Sequence, residues 1–399
     1  MAGAPRFYVR QLDGIRFYAF LLVFIHHTKP LGAYPILNGV LQKVHAYGWM
    51  GVDLFFVLSA FLITRLLLLE YDYTGSISIK SFIIRRCLRI WPLYYLMLLF
   101  GFFIATRLQV TPTEFFIPSF SLSPDTERMW DLVRSYLGFY SVFLGNISHA
   151  IWGAPMIGIG LMWSISIEEQ FYIIWPFILR SLAHSRRKIL IFAMCGLVFS
   201  VLMRLLLYSR TAHPMIWALT VTRLDPIMLG IILALWCSDN YLKLKGVLGL
   251  GLLYAVTLLP GNVEHQSIHV VWLYLMVATA FLLLVNVVVA SRSQVMAAFF
   301  SNRVVVYLGQ ISYGLYLTHQ TIGLIARRTI LPKMPGLSGW MIYVGSSLLA
   351  TIVVSMVLYH FYERTFLRLK GRYSIVASRP DCEVKSSGLE KGQLGTENG

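Results

Sequence analysis

Apolar stretches of membrane-spanning length recur from one end of the chain to the other, and nothing else constrains its fold as strongly. A crossing helix needs roughly 20 predominantly apolar residues. Stretches of that kind lie near 12–29, 48–70, 88–107, 163–182, 189–208, 214–237, 246–260, 269–290, 305–328 and 337–362. With 57% hydrophobic and only 13% charged residues, the expected architecture is an all-α polytopic membrane protein, a bundle of about ten transmembrane helices. Segment 132–145 is a further apolar stretch, too short for a full crossing, and reads as interfacial or re-entrant.

The positions of Lys and Arg set the orientation. With the N-terminus inside, Arg6, Arg10, the run from Lys80 to Arg89, Arg186 to Lys188, Lys243, Lys245, Arg292, Arg303 and the tail from Arg364 onward fall on the inner face. Arg107, Arg128, Arg134, Arg327, Arg328 and Lys333 run against that pattern. Both termini are therefore expected in the cytoplasm, in a multi-pass protein of the cytoplasmic (inner) membrane. The net charge of +16 then reads as attraction to the inner leaflet. Nucleic acid is excluded as a partner because the charge is divided among short loops.

The first span is expected to be retained, since no small-residue cleavage site follows it. Cys87, Cys195, Cys237 and Cys382 have no paired spacing, so neither a disulfide framework nor a metal site is expected. The Gly-x-Gly between Gly246 and Gly251 lies inside an apolar span, away from any strand-to-helix turn that would cradle a dinucleotide. Residues 1–372 read as one transmembrane domain. Residues 373–399, rich in Ser, Gly, Lys and Glu, read as a disordered cytoplasmic tail.

Polar residues within the spans carry the candidate chemistry, because lipid excludes them unless they face a bundle interior or a water-filled site. Arg16 and His27 are eleven residues apart, close to three turns, so they share one helix face about 16 Å apart along the axis. His26 lies off that face. A snorkelling arginine and an interfacial histidine pair would leave the same trace. Asp53 and Ser59 interrupt the second span, although a membrane serine commonly bonds its own backbone. Arg86 and Arg89, three apart at the cytosolic mouth, point the same way and suit phosphate, or else anchor the topology.

The fourth span opens with Trp163-Ser-Ile-Ser-Ile-Glu-Glu-Gln-Phe-Tyr172. Ser164 and Glu168 share a face, while Glu169 points about 100° away. Glu168 could orient a basic group such as His27 or balance an arginine. Arg223 and Asp225 could neutralise each other. Tyr313, Tyr316 and His319 form a drifting stripe that lines a cavity or packs, and Glu363-Arg364 reads as a local ion pair at the inner surface.

In order along the chain stand Leu12-Asp-Gly-x-Arg16 with His27, Gly51-Val-Asp-Leu-Phe-Phe-x-x-Ser59, Arg85-Arg-x-x-Arg-Ile-x-Pro92, Trp163-Ser-Ile-Ser-x-Glu168, Arg223-Leu-Asp225, Ile311-Ser-Tyr-x-x-Tyr-Leu-x-His319 and Glu363-Arg364. Seven such segments in this order, from about Leu12 to Phe366, resemble the acyltransferase family 3 integral membrane proteins. That group includes polysaccharide O-acetylases, nodulation-factor acetylases and macrolide acylases. Two positions depart from the family pattern: Ala60 stands where glycine is usual and Thr365 where proline is usual. Neither removes a candidate chemical group. The periplasmic esterase-like domain fused to some members is not found, so transfer to the final acceptor is expected in the membrane domain itself or on a separate partner.

The resemblance implies acyl transfer from an acyl-CoA, most often acetyl-CoA, to a hydroxyl of a carbohydrate, a lipid-linked glycan or a small-molecule acceptor. The residues support a division of labour in which Arg86 and Arg89 at the cytosolic mouth would hold the donor's phosphates, with Arg16 deeper in the same path. His27 would act as general base or accept the acyl group, with Glu168 orienting or charge-balancing it. Asp53 is carried as a third catalytic candidate, and Ser59, Ser166, Tyr313, Tyr316 and His319 as residues lining the path. No Gly-x-Ser-x-Gly elbow offers a serine nucleophile. A permease or lipid-linked-sugar transporter, using the same charges as a relay without chemistry, is the competing expectation.

Overall fold

The structure, a computed structural model, describes residues 7–28, 42–43, 45–107, 126–153, 155, 159–209, 215–237, 242–258, 268–291, 293–334, 336–373 and 376. Among these residues the regular structure is helical, with no β-strand. The helices are α1 (Arg10–His27), α2 (Met50–Thr74), α3 (Ile79–Arg107), α4 (Thr126–Ser141), α5 (Gly145–Trp152), α6 (Met162–Leu182) and α7 (Arg186–Leu207). There follow α8 (Leu224–Trp236), α9 (Leu242–Leu258), α10 (His269–Ala290), α11 (Arg303–Gln310), α12 (Ser312–Ile330) and α13 (Leu337–Leu358), joined by shorter turns of helix. Nearly all of the expected tail, and residues 29–41 and 108–125, lie outside the described residues.

Four helical stretches, His45–Thr74, Arg186–Leu207, His269–Ala290 and Leu337–Tyr373, are long and apolar enough to cross a membrane. Two helices that carry candidate polar residues, α1 and α6, fall below that measure because their charges count against them, whereas α2 meets it despite Asp53. α1 holds Arg10, Asp13 and Arg16 within 18 residues, and α6 holds Glu168 and Glu169. Burial separates the four: 67% of the apolar window containing α2 is buried, against 22% of that in α13. α2 is thus the central post of the bundle, and the exposed apolar faces of α7 and α13 suit lipid.

Two expected spans are broken. Stretch 214–237 is a short helix Met215–Ala218, a 3-10 turn Thr220–Thr222 and then α8. Pro226 occupies the first turn of α8, where its missing N–H has no helical partner to lose, and Thr222 Oγ1 donates to the Ile216 and Leu219 carbonyls. Stretch 305–328 is interrupted at Ile311, between α11 and α12. Segment 132–145 ends α4 and turns through Val142–Leu144 into α5, with Phe143 at φ +57°. That left-handed residue packs among Trp91, Tyr94 and Tyr95 of α3.

The entrance of α1 is set by close backbone packing. Asp13 is buried, accepts from Arg16 at 2.8 Å and from the Tyr8 hydroxyl at 3.2 Å, and so neutralises the first turn internally. A Cβ on Gly309 would stand 1.7 Å from the Asp13 carbonyl oxygen, and one on Gly14 2.1 Å from that of Phe300. Glycine is required because two backbones meet there. Gly309→Ala is expected to destabilise the protein by about 1–3 kcal/mol through overpacking. The melting temperature of the purified protein checks this, and an unchanged value would mean that α1 and α11 can part freely.

Candidate active site

α1, α2, α3, α6 and α12 enclose a cavity of about 770 Å³, counting its open mouth. Its polar lining comprises Arg16 from α1, Ser59 from α2, Arg86 and Arg89 from α3, Ser164, Glu168 and Tyr172 from α6, and Ser312, Tyr313 and Tyr316 from α12. Val52, Phe55, Phe56, Leu62, Ile63, Ile90 and Ile165 supply the apolar remainder. Helical phase selects these residues. Arg86 and Arg89 turn inward, whereas Arg85 holds Glu70 at 3.2 Å and the Tyr373 carbonyl at 2.5 Å.

Glu168 is fixed by two donors, Ser59 Oγ at 2.9 Å and the Tyr172 hydroxyl at 2.9 Å. The Tyr172 ring also faces the Arg86 guanidinium, 5.4 Å from ring centroid to carbon. Glu169, on another face of α6, instead accepts from Trp91 Nε1 at 3.0 Å. Tyr316 reaches Ser164 Oγ at 2.7 Å, and Ser164 donates to the Leu161 carbonyl at 3.0 Å. The Tyr313 hydroxyl donates to the Ile90 carbonyl at 2.9 Å. These bonds tie α12 to α6 and α3 around the cavity. Three guanidinium groups and one carboxylate line the cavity, with Arg16 also paired to Asp13 at 2.8 Å, and guanidinium groups are suited to an anionic ligand.

Seven sequence-derived candidates therefore meet at one cavity: Arg16, Arg86, Arg89, Ser59, Glu168, Tyr313 and Tyr316. Four lie elsewhere. Ser166 is buried and bonds the Met162 carbonyl of its own helix at 3.1 Å. His27 and His319 meet each other, His27 Nδ1 lying 3.3 Å from His319 Nε2. They sit next to the cavity through Tyr316, whose carbonyl accepts from His319 Nδ1 at 2.7 Å. The expected bond between Glu168 and His27 is not formed. Glu168 shares the cavity with Arg16, three turns of α1 away from His27, and spends its oxygens on Ser59 and Tyr172.

Asp53 is the fourth. It is fully buried and hydrogen-bonded to Arg223 Nη2, outside the cavity lining. Asp225 pairs with Arg204, so Arg223 and Asp225 do not neutralise each other as their spacing suggested. Arg204 Nε also donates to the Val271 carbonyl at 3.0 Å, and Arg223 stacks 4.0 Å from the Tyr274 ring centroid. Arg204 belongs to none of the motifs, and its signal in the sequence is a lone arginine inside the apolar run of α7. Tyr172 closes the polar opening of the fourth span without being singled out there; its bond to Glu168 follows from the i, i+4 spacing.

The site is thus an arginine-lined internal cavity with a bonded carboxylate and a neighbouring histidine pair, set within a helical membrane protein. The chain belongs to the acyltransferase family 3: residues 9–360 match the family model described as an acyltransferase domain. It is similar to a Staphylococcus aureus (strain COL) protein named "Putative O-acetyltransferase SACOL0978", 31% identical over 337 residues, which are 78% of this chain and 50% of that one. It is also 28% identical over 388 residues to "Putative peptidoglycan O-acetyltransferase YrhL" of Bacillus subtilis (strain 168), covering 91% of this chain and 55% of that one. With "O-acetyltransferase OatA" of Staphylococcus aureus (strain NCTC 8325 / PS 47) it shares 26% over 343 residues, 80% of this chain and 51% of that one. The chain thus spans about half the length of the curated relatives it matches. No solved structure matches it.

Proposed function

We propose that this chain moves an acyl group, acetyl in the first instance, from cytosolic acyl-CoA to a hydroxyl of a carbohydrate acceptor. The observation that carries the reading is the cavity, where Arg86, Arg89 and Arg16 line one chamber with Glu168 held between Ser59 and Tyr172. The arginines would bind the donor's phosphates through charge-assisted, bidentate bonds, and Phe55, Phe56 and Ile165 would receive its less polar arm. His27 would take the proton of the acceptor hydroxyl as general base. Glu168 balances the arginines rather than orienting His27.

In this reading the bundle crosses the cytoplasmic membrane about ten times, with both termini inside, so the basic end of α3 faces the donor. A polysaccharide or lipid-linked glycan is the preferred acceptor, supported by the peptidoglycan acetyltransferase name of one relative. Incubating the purified protein with radiolabelled acetyl-CoA and candidate glycans tests the function. Acetylated glycan is expected. Passage of either substrate across proteoliposomes with no labelled product would favour the transporter.

The arginines have their own test. A hydrogen bond to a charged group contributes about 1.5–3 kcal/mol. Arg86→Ala and Arg89→Ala are therefore each expected to raise the KM for acyl-CoA about tenfold or more, with the melting temperature retained. An unaltered KM in both would leave them as topology anchors.

A further inference from the structure

His27 and His319 stand 292 residues apart in the chain and meet with ring centroids 5.1 Å apart. His27 Nδ1 lies 2.8 Å from the Val23 carbonyl oxygen, and His319 Nδ1 lies 2.7 Å from that of Tyr316. A carbonyl only accepts, so both rings carry hydrogen on Nδ1 and a lone pair on Nε2. His319 Nε2, 3.3 Å from His27 Nδ1, is then a second acceptor for the same N–H. The tautomer assigned by these partners leaves His27 Nε2 as the basic nitrogen of a half-buried ring.

His319 is buried, with its ring against Phe20 and Phe24 at centroid distances of 5.6 and 6.3 Å. A residue needed there only for packing would do better as Phe or Leu, which bring no polar atoms to satisfy. The imidazole instead has its Nδ1 tied to its own helix and its Nε2 aimed at His27.

We propose that His319 is the positioning residue for His27 in acyl transfer. Its Nε2 accepts from His27 Nδ1–H beside the Val23 carbonyl, orients the ring whose Nε2 is the base, and stabilises His27 when it becomes imidazolium. This rests on the reading of His27 as the base. In the step itself the acceptor O–H bond breaks and the proton goes to His27 Nε2. The oxygen forms a bond to the thioester carbonyl carbon, the C–S bond breaks, and the proton passes from His27 Nε2 to the departing sulfur. While the proton is on His27, the bond from Nδ1–H to His319 is charge-assisted and at its strongest. A neutral imidazole thus fills the place that a triad gives to a carboxylate.

The test compares His319→Phe, His319→Gln, His27→Ala and the double variant His27→Ala/His319→Phe, purified with intact lipid, using labelled acetyl-CoA and an acetylated glycan product as readout. His319→Phe keeps volume without an acceptor and is expected to lower kcat about 10²-fold, with the KM for acetyl-CoA unmoved. His319→Gln restores an acceptor oxygen and is expected to recover about tenfold of that loss. In the His27→Ala background, His319→Phe is expected to cost nothing more. Wild-type kcat in His319→Phe, or equal impairment in the Gln and Phe variants, overturns the proposal while an inactive His27→Ala leaves the base in place. An active His27→Ala overturns the base reading itself. Should His319→Phe fail to accumulate, His319→Gln decides: at least about a tenth of wild-type kcat sustains the role, and less overturns it.

Discussion

His27→Ala is expected to lower acyl transfer by about 10²–10⁴-fold, the usual contribution of a positioned general base, while the protein accumulates and inserts as the wild type does. The ring is half-buried at the end of α1 and its polar contacts are to one carbonyl and one imidazole. Truncation therefore removes chemistry with little packing. The neighbouring residue is the control: His26 bonds the His45 carbonyl at 2.7 Å and lies off the face that Arg16 and His27 share, so His26→Ala should keep most of its activity. The measurement is the rate of label transfer from acetyl-CoA to glycan by equal amounts of purified protein. Full activity in His27→Ala would remove it from the reaction.

The second large effect concerns stability and the sequence-derived role of Asp53. Asp53 and Arg223 form a fully buried ion pair beside the equally buried Arg204–Asp225 pair, with Tyr274 stacked on Arg223. Removing one partner of a buried pair leaves the other charge uncompensated and costs about 3–5 kcal/mol. Asp53→Ala should accordingly melt well below the wild type and accumulate poorly. Replacing both partners by apolar side chains of similar volume is often neutral or stabilising, so Asp53→Leu/Arg223→Met is expected to regain the melting temperature and, with it, acyl transfer. A double variant that folds at the wild-type temperature yet makes no product would return Asp53 to the catalytic machinery.

The division between what could be read and what could not follows the range of the forces involved. α1 was legible in full, because its apolar run, its first-turn Asp13 and the three-turn spacing of Arg16 and His27 are all local. The inward turn of Arg86 and Arg89 was legible too, since i, i+3 neighbours on α3 share a face. The breaks at Ile311 and before Pro226 were not, because hydropathy averaged over a whole span merges the polar residues at each break, Thr222 to Pro226 and Gly309-Gln310, with the apolar residues on either side. Spacing also misled where it offered a near neighbour: Arg223 and Asp225 are two residues apart but find their counter-ions on other helices.

By itself the sequence determined the class of the protein, the helical period of its polar residues and the family motifs, because lipid forces backbone hydrogen bonds into local helices and leaves polar side chains conspicuous. Only the tertiary structure decided the partners. Ser59 meets Glu168 across 109 residues, Asp53 meets Arg223 across 170, and His27 meets His319 across 292. Such contacts depend on which helix faces pack together, and for Gly14 and Gly309 on backbones close enough to exclude a single Cβ. That is why the histidine's neighbour is another histidine, and the glutamate belongs to the arginines.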